Sequence, residues 1–249
     1  MPVRSTISRA TKRAAARVLR STGYGLYRLD HTPSAQWAAE AAPLKARHRT
    51  QSLADVETLR ARYETPVFGV VPIWDVVQML AHVIDPSDRF LMNASQEVHT
   101  LQVVEGLIAE GVDDEDLLLA GLLHDVGKVM LLVGEDPAFV SGPVEPIGSC
   151  APGVGLDRCV FLYNADEFAY SRLHPYVPDH VAWLIRHHSI VPESCLHLMD
   201  DRDRDYYERY GKQLQRLDHE TKSIIRTPST RISDYRDLVE RALPDPIPF

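Results

Sequence analysis

The sequence predicts an all-α fold, a helical bundle preceded by an N-terminal extension. From about residue 65 onward, apolar residues recur at helical spacing, and no convincing run of alternating strands is present. Turn signals such as Asp85-Pro86-Ser87-Asp88 separate the helical segments. A chain of 249 residues can bury a sizeable core, and one large domain is the expected count. We therefore expect residues 61–249 to form the folded domain and residues 1–60 to be a basic extension packed outside it.

The helical segments of this domain follow one another in a clear order. The first covers residues 71–84, and the second runs from about Gln96 to Gly111, which is a predicted C-terminal cap. Acids at 113–116 match the dipole at the start of the third helix, which carries the run LLLAGLLHDVGKVMLL. Residues 134–155 are punctuated by Gly and Pro, which indicates a loop or lid. Helical pattern returns in GLDRCVFLYNADEFAY, in DHVAWLIRHHS and in YYERYGKQLQRLDHETKSII, and the charged run at 200–205 indicates a solvated helix start.

The charge distribution is uneven along the chain. The net charge is −8, yet residues 1–29 hold seven of the 27 basic residues and no acid. The acidic remainder argues against nucleic acid as the main partner. Arg9, Arg13, Arg17 and Arg20 would form one stripe on a helix, which fits a membrane-surface or partner helix or a transit peptide. A solvated arm that lies on the acidic body is the simpler interpretation.

Other features of the sequence bear on its compartment. The chain has no apolar stretch long enough to cross a bilayer and no secretory signal peptide. Its three cysteines are odd in number and lack CxxC spacing, which argues for a reducing compartment. We expect a cytoplasmic protein that acts on a small molecule and has no integral membrane segment. The sequence leaves the oligomeric state open.

Two adjacent residues, His124 and Asp125, are the strongest chemical signal in the sequence. An imidazole and a carboxylate in so apolar a helix are costly unless they are satisfied, either by a hydrogen bond within the core or by a metal that uses both groups. His99, His188 and Asp218 lie on three other predicted helices, and packing of the apolar faces would aim all five side chains at one point. We therefore predict a metal site. Mixed histidine and carboxylate ligands suit iron, manganese, zinc or copper.

Two lysines are in register with these acidic and histidine residues. Lys128 is four residues after His124, and Lys222 is four residues after Asp218, so each lies on the same helical face as its partner. Cationic donors beside a metal would hold polar or anionic oxygens of a substrate. The alternative for each lysine is a surface ion pair.

The motif order His, His-Asp, Asp resembles that of the HD-domain superfamily, an all-helical metal-binding fold, and residues 66–243 resemble myo-inositol oxygenase in particular. The resemblance rests on DPSD at 85–88, LLHDVGK at 122–128, PIGSC at 146–150, GLDR at 155–158, DEFAY at 166–170, IRHHS at 185–189 and LDHETK at 217–222. It implies an HD-type bundle that holds one or two iron ions, uses dioxygen as a co-substrate and cleaves a ring in a four-electron oxidation.

The resemblance also implies roles for individual residues. The implied ligands of the first iron are His99, His124, Asp125 and Asp218. Asp125 would bridge to a second iron, which His188 would also bind. The implied contacts of the polyol hydroxyls are Asp85, Lys128, Ser189 and Lys222. Lys128 and Asp125 are the residues expected to take part in catalysis.

One position departs from the family pattern. The resemblance implies a further histidine ligand of the second iron immediately before the DEFAY element, and here that position is Ala165. The second iron would then keep only Asp125, His188 and exogenous ligands, unless Asn164, Asp166, His174 or His187 substitutes. We expect weaker binding of the second metal. The loop before GLDR is also shorter than in the inositol enzymes, which leaves the substrate open.

Three functions are compatible with these residues. The leading hypothesis is a non-haem iron oxygenase that acts on a polyol, a cyclitol or a related small hydroxylated molecule. The second is an HD-type metal-dependent phosphohydrolase, because the four ligands of the first metal suffice to activate a water. The third is an HD-fold binding protein that has lost turnover, a reading that Ala165 favours and that the two lysines oppose.

Overall fold

The computed structural model describes residues 35–88, 90, 91 and 93–249, so the arginine stripe predicted near the N-terminus lies outside the described residues. The described part is mostly helical. Its strands are β1 (Val70–Val71) and β2 (Ile247–Pro248), which pair antiparallel with Val71 opposite Ile247. The prediction of an all-α fold is confirmed.

Twelve α-helices are labelled here in chain order within the described residues. They are α1 (Ala35–His48), α2 (Leu53–Arg62), α3 (Ile73–Met79), α4 (Gln96–Ala109), α5 (Glu115–Leu123), α6 (Pro137–Val140), α7 (Ala165–Leu173), α8 (Asp179–His187), α9 (Pro192–Cys195), α10 (Asp201–Tyr206), α11 (Lys212–Glu220) and α12 (Arg236–Ala242). The 3₁₀ segments are Leu80–His82, Val126–Val133, Leu156–Arg158, Leu196–Leu198 and Ile232–Tyr235, and a π-helical segment, Tyr207–Gly211, joins α10 to α11.

Several predicted helix ends are found where local chemistry places them. Helix α4 is followed by Gly111 at φ 84°, a left-handed conformation that glycine adopts without strain. The Asp114 carboxylate accepts hydrogen bonds from the backbone N–H groups of Asp116 and Leu117 and so caps α5. Helix α8 begins directly after Pro178. These ends are specified by short-range patterns, which is why the sequence predicted them.

The run that carries His124 and Asp125 is not one continuous helix, contrary to the prediction. Helix α5 ends at Leu123, and residues 126–133 form a 3₁₀ segment. Two backbones also approach each other closely at Gly127, two residues after the interruption. A Cβ atom at Gly127 would lie 1.9 Å from the carbonyl oxygen of Ala165, so only glycine lets the start of α7 reach this point.

The segment GLDRCVFLYNADEFAY is also helical over less of its length than predicted. Residues 159–164 are not helical, and the backbone N–H of Leu162 donates to the carbonyl of Glu145. Helix α7 starts only at Ala165, because the Asn164 side chain accepts hydrogen bonds from the backbone N–H groups of Asp166 and Glu167. This cap fixes where the first turn of α7 faces the centre of the bundle.

The bundle is organised around the helices that carry the predicted ligands. Helix α4 packs against α5 and α11, α5 packs against α8, and α7 packs against both α8 and the 3₁₀ segment 126–133. Val56 and Leu59 of α2 lie in the same apolar core although they precede residue 61. The division of the chain at residue 60 stays a prediction.

Two further observations concern the chain's chemistry and its relation to membranes. Within the part of the chain that the structure describes, no helix is both long and apolar enough to cross a bilayer. Cys150, Cys159 and Cys195 are free thiols.

Candidate metal centre

The five predicted metal ligands converge at the centre of the bundle. His99 lies in the first turn of α4, His124 and Asp125 follow the end of α5, His188 follows the end of α8, and Asp218 lies in α11. All five residues are at least 95% buried. The helix packing therefore brings together residues that are up to 119 positions apart in the chain.

Four of these residues form a compact cluster, which we call the first cluster: His99, His124, Asp125 and Asp218. His99 Nε2 lies 2.8 Å from Asp218 Oδ1 and 3.2 Å from His124 Nε2. Asp125 Oδ2 lies 3.4 Å from His99 Nε2 and 3.3 Å from His124 Nε2. Two imidazole nitrogens and two carboxylate oxygens thus face a common point.

The spacing of the first cluster fits a single transition-metal ion. Nitrogen and oxygen ligands lie about 2.0–2.2 Å from such an ion, so neighbouring ligands at right angles are about 3 Å apart. The measured separations of 2.8–3.6 Å are close to this value. The donor set of two imidazoles and two carboxylates is also one that iron, manganese and zinc accept. The residues present therefore fit a bound metal.

Hydrogen bonds to backbone carbonyls fix the tautomers of two histidines. His124 Nδ1 lies 2.8 Å from the carbonyl oxygen of Gly121, and His188 Nδ1 lies 3.0 Å from that of Ile185. A carbonyl oxygen only accepts, so each Nδ1 carries the proton and donates it. Each Nε2 is thereby left to face the cluster. Such outer contacts orient a metal-binding imidazole and define its ligating nitrogen.

Asp125 belongs to a second group as well, which we call the second cluster: Asp125, Asp166 and His188. Asp125 Oδ2 faces the first cluster, whereas its Oδ1 lies 3.8 Å from His188 Nε2. In this cluster Asp166 Oδ2 also lies 3.8 Å from His188 Nδ1, so its separations are longer than the 2.8–3.6 Å of the first cluster. The two oxygens of one carboxylate thus face two candidate metal positions, which is the arrangement of a bridging ligand.

The predicted lysines pair with carboxylates at the same centre. Lys128 Nζ lies 3.0 Å from Asp125 Oδ2 and 3.1 Å from Asp85 Oδ2. Lys222 Nζ lies 3.2 Å from Asp218 Oδ1 and 3.3 Å from a carboxylate oxygen of Asp88. Both lysines are largely buried, so the surface ion pair considered from the sequence does not describe them.

The electrostatics of the centre follow from burial and from these charge pairs. Burial opposes ionisation of Asp125 and Asp218, but the adjacent lysines and histidines outweigh it and hold the pKa of each carboxyl well below its usual range. Burial also lowers the pKa of Lys128, yet its carboxylate neighbours raise that pKa well above the ordinary value. Asp166 differs, because burial dominates and raises its pKa.

A cavity of about 360 Å³ opens onto both clusters. Asp85, Lys128, Ser189 and Lys222, the four predicted substrate contacts, all line it. The cavity is lined by two buried lysines, by Lys45 and Arg49, and by five carboxylates, which are those of Asp85, Asp88, Asp125, Asp166 and Asp218. Buried carboxylates therefore outnumber buried lysines, which favours a bound cation.

The structure also contains contacts that the sequence reasoning did not identify. Asp88 pairs with Lys222, and Gln96 accepts a hydrogen bond from Lys128. Ser141 donates to Asp85 at 2.8 Å. Asp88 is part of the DPSD motif and could have been proposed from it, whereas nothing in the sequence singles out Gln96 or Ser141. Ser189 donates its hydroxyl to Asp166, a partner that the prediction did not assign to it.

Comparison with known proteins agrees with this geometry. A sequence model of the family described as myo-inositol oxygenase matches residues 41–151. The chain is 27% identical to a probable inositol oxygenase of Oryza sativa, over 71% of this chain and 72% of the relative. The chain therefore resembles inositol oxygenases. Inositol oxygenase of Danio rerio is 24% identical over 80% of this chain and 85% of the relative, and that of Mus musculus is 32% identical over 49% and 43%.

The matched family region covers part of the metal centre. The matched family region includes His99, His124 and Asp125, together with Asp85 and Lys128 of the cavity. The similarity indicates an iron-dependent oxidoreductase of the inositol oxygenase type, and the described residues include two groups of side chains that could hold a metal.

Proposed function

We propose that this inositol oxygenase-like enzyme oxidises a cyclitol or a closely related small polyol with dioxygen. The observation that carries the proposal is the position of Asp125, whose two carboxylate oxygens face two separate groups of metal-binding side chains. A single hydrolytic metal needs only the first group. The relatives are named as inositol oxygenases, which makes inositol the first substrate to test.

The proposed iron ligands are those of the two clusters. His99, His124, Asp125 and Asp218 would hold one iron, while Asp125 and His188 would hold a second. Bound iron would supply the position at which dioxygen binds, and the four electrons that reduce dioxygen would come from the substrate. We also propose that the bundle belongs to the HD-domain superfamily and that Ala165 stands where the family has a histidine ligand. A cytoplasmic location is part of the proposal.

The chain's own residues would bind and orient the polyol. Lys128 and Lys222 reach the cavity as buried ammonium groups, and each can donate up to three hydrogen bonds. Asp85 pairs with Lys128 and Asp88 pairs with Lys222, and these contacts would hold the two lysines in place. A hydroxylated ring offers oxygens that accept from the lysines and hydroxyl protons that donate to the aspartates. The same contacts would exclude water from the carbon that is oxidised.

A metal-dependent phosphohydrolase is the second candidate. The compact first cluster favours it, because its four ligands suffice to hold a metal that activates water. Lys45 and Arg49 in the cavity wall add positive charge that would suit a phosphate. That reaction does not require the second cluster, and the relatives named as inositol oxygenases are the reason that the oxygenase is preferred.

An oxygen electrode separates the two candidates. The iron-reconstituted protein is mixed with myo-inositol, with other cyclitols and with open-chain polyols, and oxygen uptake is recorded together with phosphate release from nucleotides. We expect oxygen uptake that depends on a cyclitol and negligible phosphate release. Metal-dependent phosphate release without oxygen uptake would reject the oxygenase in favour of the hydrolase.

A further inference from the structure

Asp166 is a buried carboxylate that is not among the proposed iron ligands and has no role assigned so far. It lies in the first turn of α7, is 4% exposed, and forms the second cluster with Asp125 and His188. Its Oδ2 lies 3.8 Å from His188 Nδ1, and within the described residues no lysine or arginine forms an ion pair with it. A carboxylate buried without a salt bridge and next to an imidazole and a second carboxylate is costly unless a cation joins them.

The surroundings of Asp166 hold its side chain toward this position. The backbone N–H of Asp166 donates to Asn164, which caps α7 and fixes its first turn. The hydroxyl of Ser189 donates to Asp166 Oδ2, which leaves the other carboxylate oxygen for another partner. Ser189 directly follows His188, so one short segment both supplies an imidazole and orients the carboxylate. Outer contacts of this kind accompany metal-ligating carboxylates.

The other residues that might replace the absent histidine have different contacts. The Asn164 side chain accepts the hydrogen bonds that cap α7, and its amide nitrogen donates to the carbonyl of Gly142. His174 is hydrogen-bonded to the backbone carbonyl of Tyr170, and its ring stacks on the Tyr170 ring. His187 packs against Phe161 and Trp183 and is not part of either cluster.

We infer that Asp166 is a direct ligand of the second metal, in a set of two carboxylates and one imidazole with Asp125 and His188. This inference rests on the proposed two-metal function and specifies its second position. The set is richer in oxygen and carries one more negative charge than a set in which a histidine takes the place of Asp166. It therefore suits harder ions, and we expect the second position to accept manganese readily.

A titration of metal-free protein with Mn(II) tests the assignment, with the free ion followed by electron paramagnetic resonance. The parent is expected to bind two ions. Asp166→Asn keeps the size of the side chain and can still accept from Ser189, but it is a poor ligand. We expect it to retain the first ion with unchanged affinity and to bind the second at least tenfold more weakly.

Asp85→Asn is the matched control. It removes a buried carboxylate from the same cavity, yet Asp85 belongs to neither cluster. We expect Asp85→Asn to keep both ions. Retention of the second ion by Asp166→Asn with parental affinity would overturn the inference. An equal loss in Asp85→Asn would also overturn it, because the effect would then be one of general charge.

A second variant gives a direct signature of ligation. Asp166→Cys places a thiolate at the same position, and thiolates bind cobalt with an intense charge-transfer absorption. We expect this band in Asp166→Cys loaded with Co(II) and its absence in the parent, whose three thiols lie outside both clusters. A folded Asp166→Cys variant that binds cobalt without the band would refute ligation by residue 166. Failure of the parent to bind any metal would instead refute the proposed function.

Discussion

Binding of the first metal should release one proton at neutral pH. Burial lowers the pKa of His124, but the carboxylates of Asp125 and Asp218 outweigh it and raise that pKa to about 10. Burial and the nearby charge of Lys222 lower the pKa of His99 to about 4. The two ring nitrogens are 3.2 Å apart, so they titrate as a pair that holds one proton at pH 7.

The number of protons released, and with it the pH dependence of the metal affinity, follows from the protonation states of the other groups. A histidine must be neutral to ligate, so the proton on His124 has to leave when the metal binds. The low pKa values of Asp125 and Asp218 mean that these carboxylates release nothing, and Lys128 keeps its proton. The apparent affinity should therefore rise about tenfold per pH unit between roughly pH 6 and 9.

Calorimetric titration measures this proton directly. Metal-free protein is titrated anaerobically with the first equivalent of Fe(II) at pH 7 in buffers of different ionisation enthalpy. The observed binding enthalpy is plotted against the ionisation enthalpy of the buffer, and the slope gives the number of protons released. We expect a slope close to one. A slope near zero or two would refute the argument, because the histidine pair would then be neutral or doubly protonated.

The raised pKa of His124 also makes the stability of the metal-free protein depend on pH. A group whose pKa is higher in the folded state stabilises the fold below its unfolded pKa and loses this contribution as the pH rises through the folded value. His124 should therefore stabilise the metal-free protein up to neutral pH, and this contribution should disappear as the pH rises toward about 10.

Four further substitutions have definite expected outcomes. His124→Ala removes a ligand of the first metal, so iron measured after desalting should fall to background, and parental iron content would mean that His124 is only a core residue. Gly127→Ala forces a Cβ to within 1.9 Å of the Ala165 carbonyl and should lower the free energy of unfolding by about 3 kcal/mol or more in a denaturant titration. Gly111→Ala meets no atom within 4 Å and should lower it by only about 1–2 kcal/mol, the cost of the left-handed backbone; equal losses would contradict the close approach. Ala165→His adds an imidazole beside the second cluster and should tighten binding of the second metal in an Fe(II) titration, whereas unchanged binding would mean that no ligand is missing there.

The sequence predicted those elements whose causes are local. Helix α5 begins where Asp114 caps it, and α8 begins after Pro178, because capping and proline effects act within a few residues. The interruption at Asp125 was not predicted. The apolar pattern continues through the interruption without change, and the close contact beside it joins Gly127 and Ala165, which are 38 positions apart.

In the candidate site, too, some features could be predicted from the sequence and others depend on contacts between distant residues. The sequence indicated that His99, His124 and Asp218 would meet, because each lies on a helix with an apolar face that had to be buried. It could not indicate that Ser189 would donate to Asp166, since that contact depends on how α7 and α8 pack. Nor could it show that Lys128 would lie between two carboxylates instead of at the surface.

The most direct test of the account is the stoichiometry of one reaction. The iron-reconstituted enzyme is supplied with myo-inositol and ¹⁸O-labelled dioxygen, and substrate loss, oxygen uptake and the label in the product are measured in the same sample. A four-electron ring cleavage predicts one dioxygen consumed per substrate, one labelled oxygen atom in a new carboxylate and the other in water. Substrate loss without oxygen uptake, or a product without label, would contradict the assignment of this metal centre as an oxygenase.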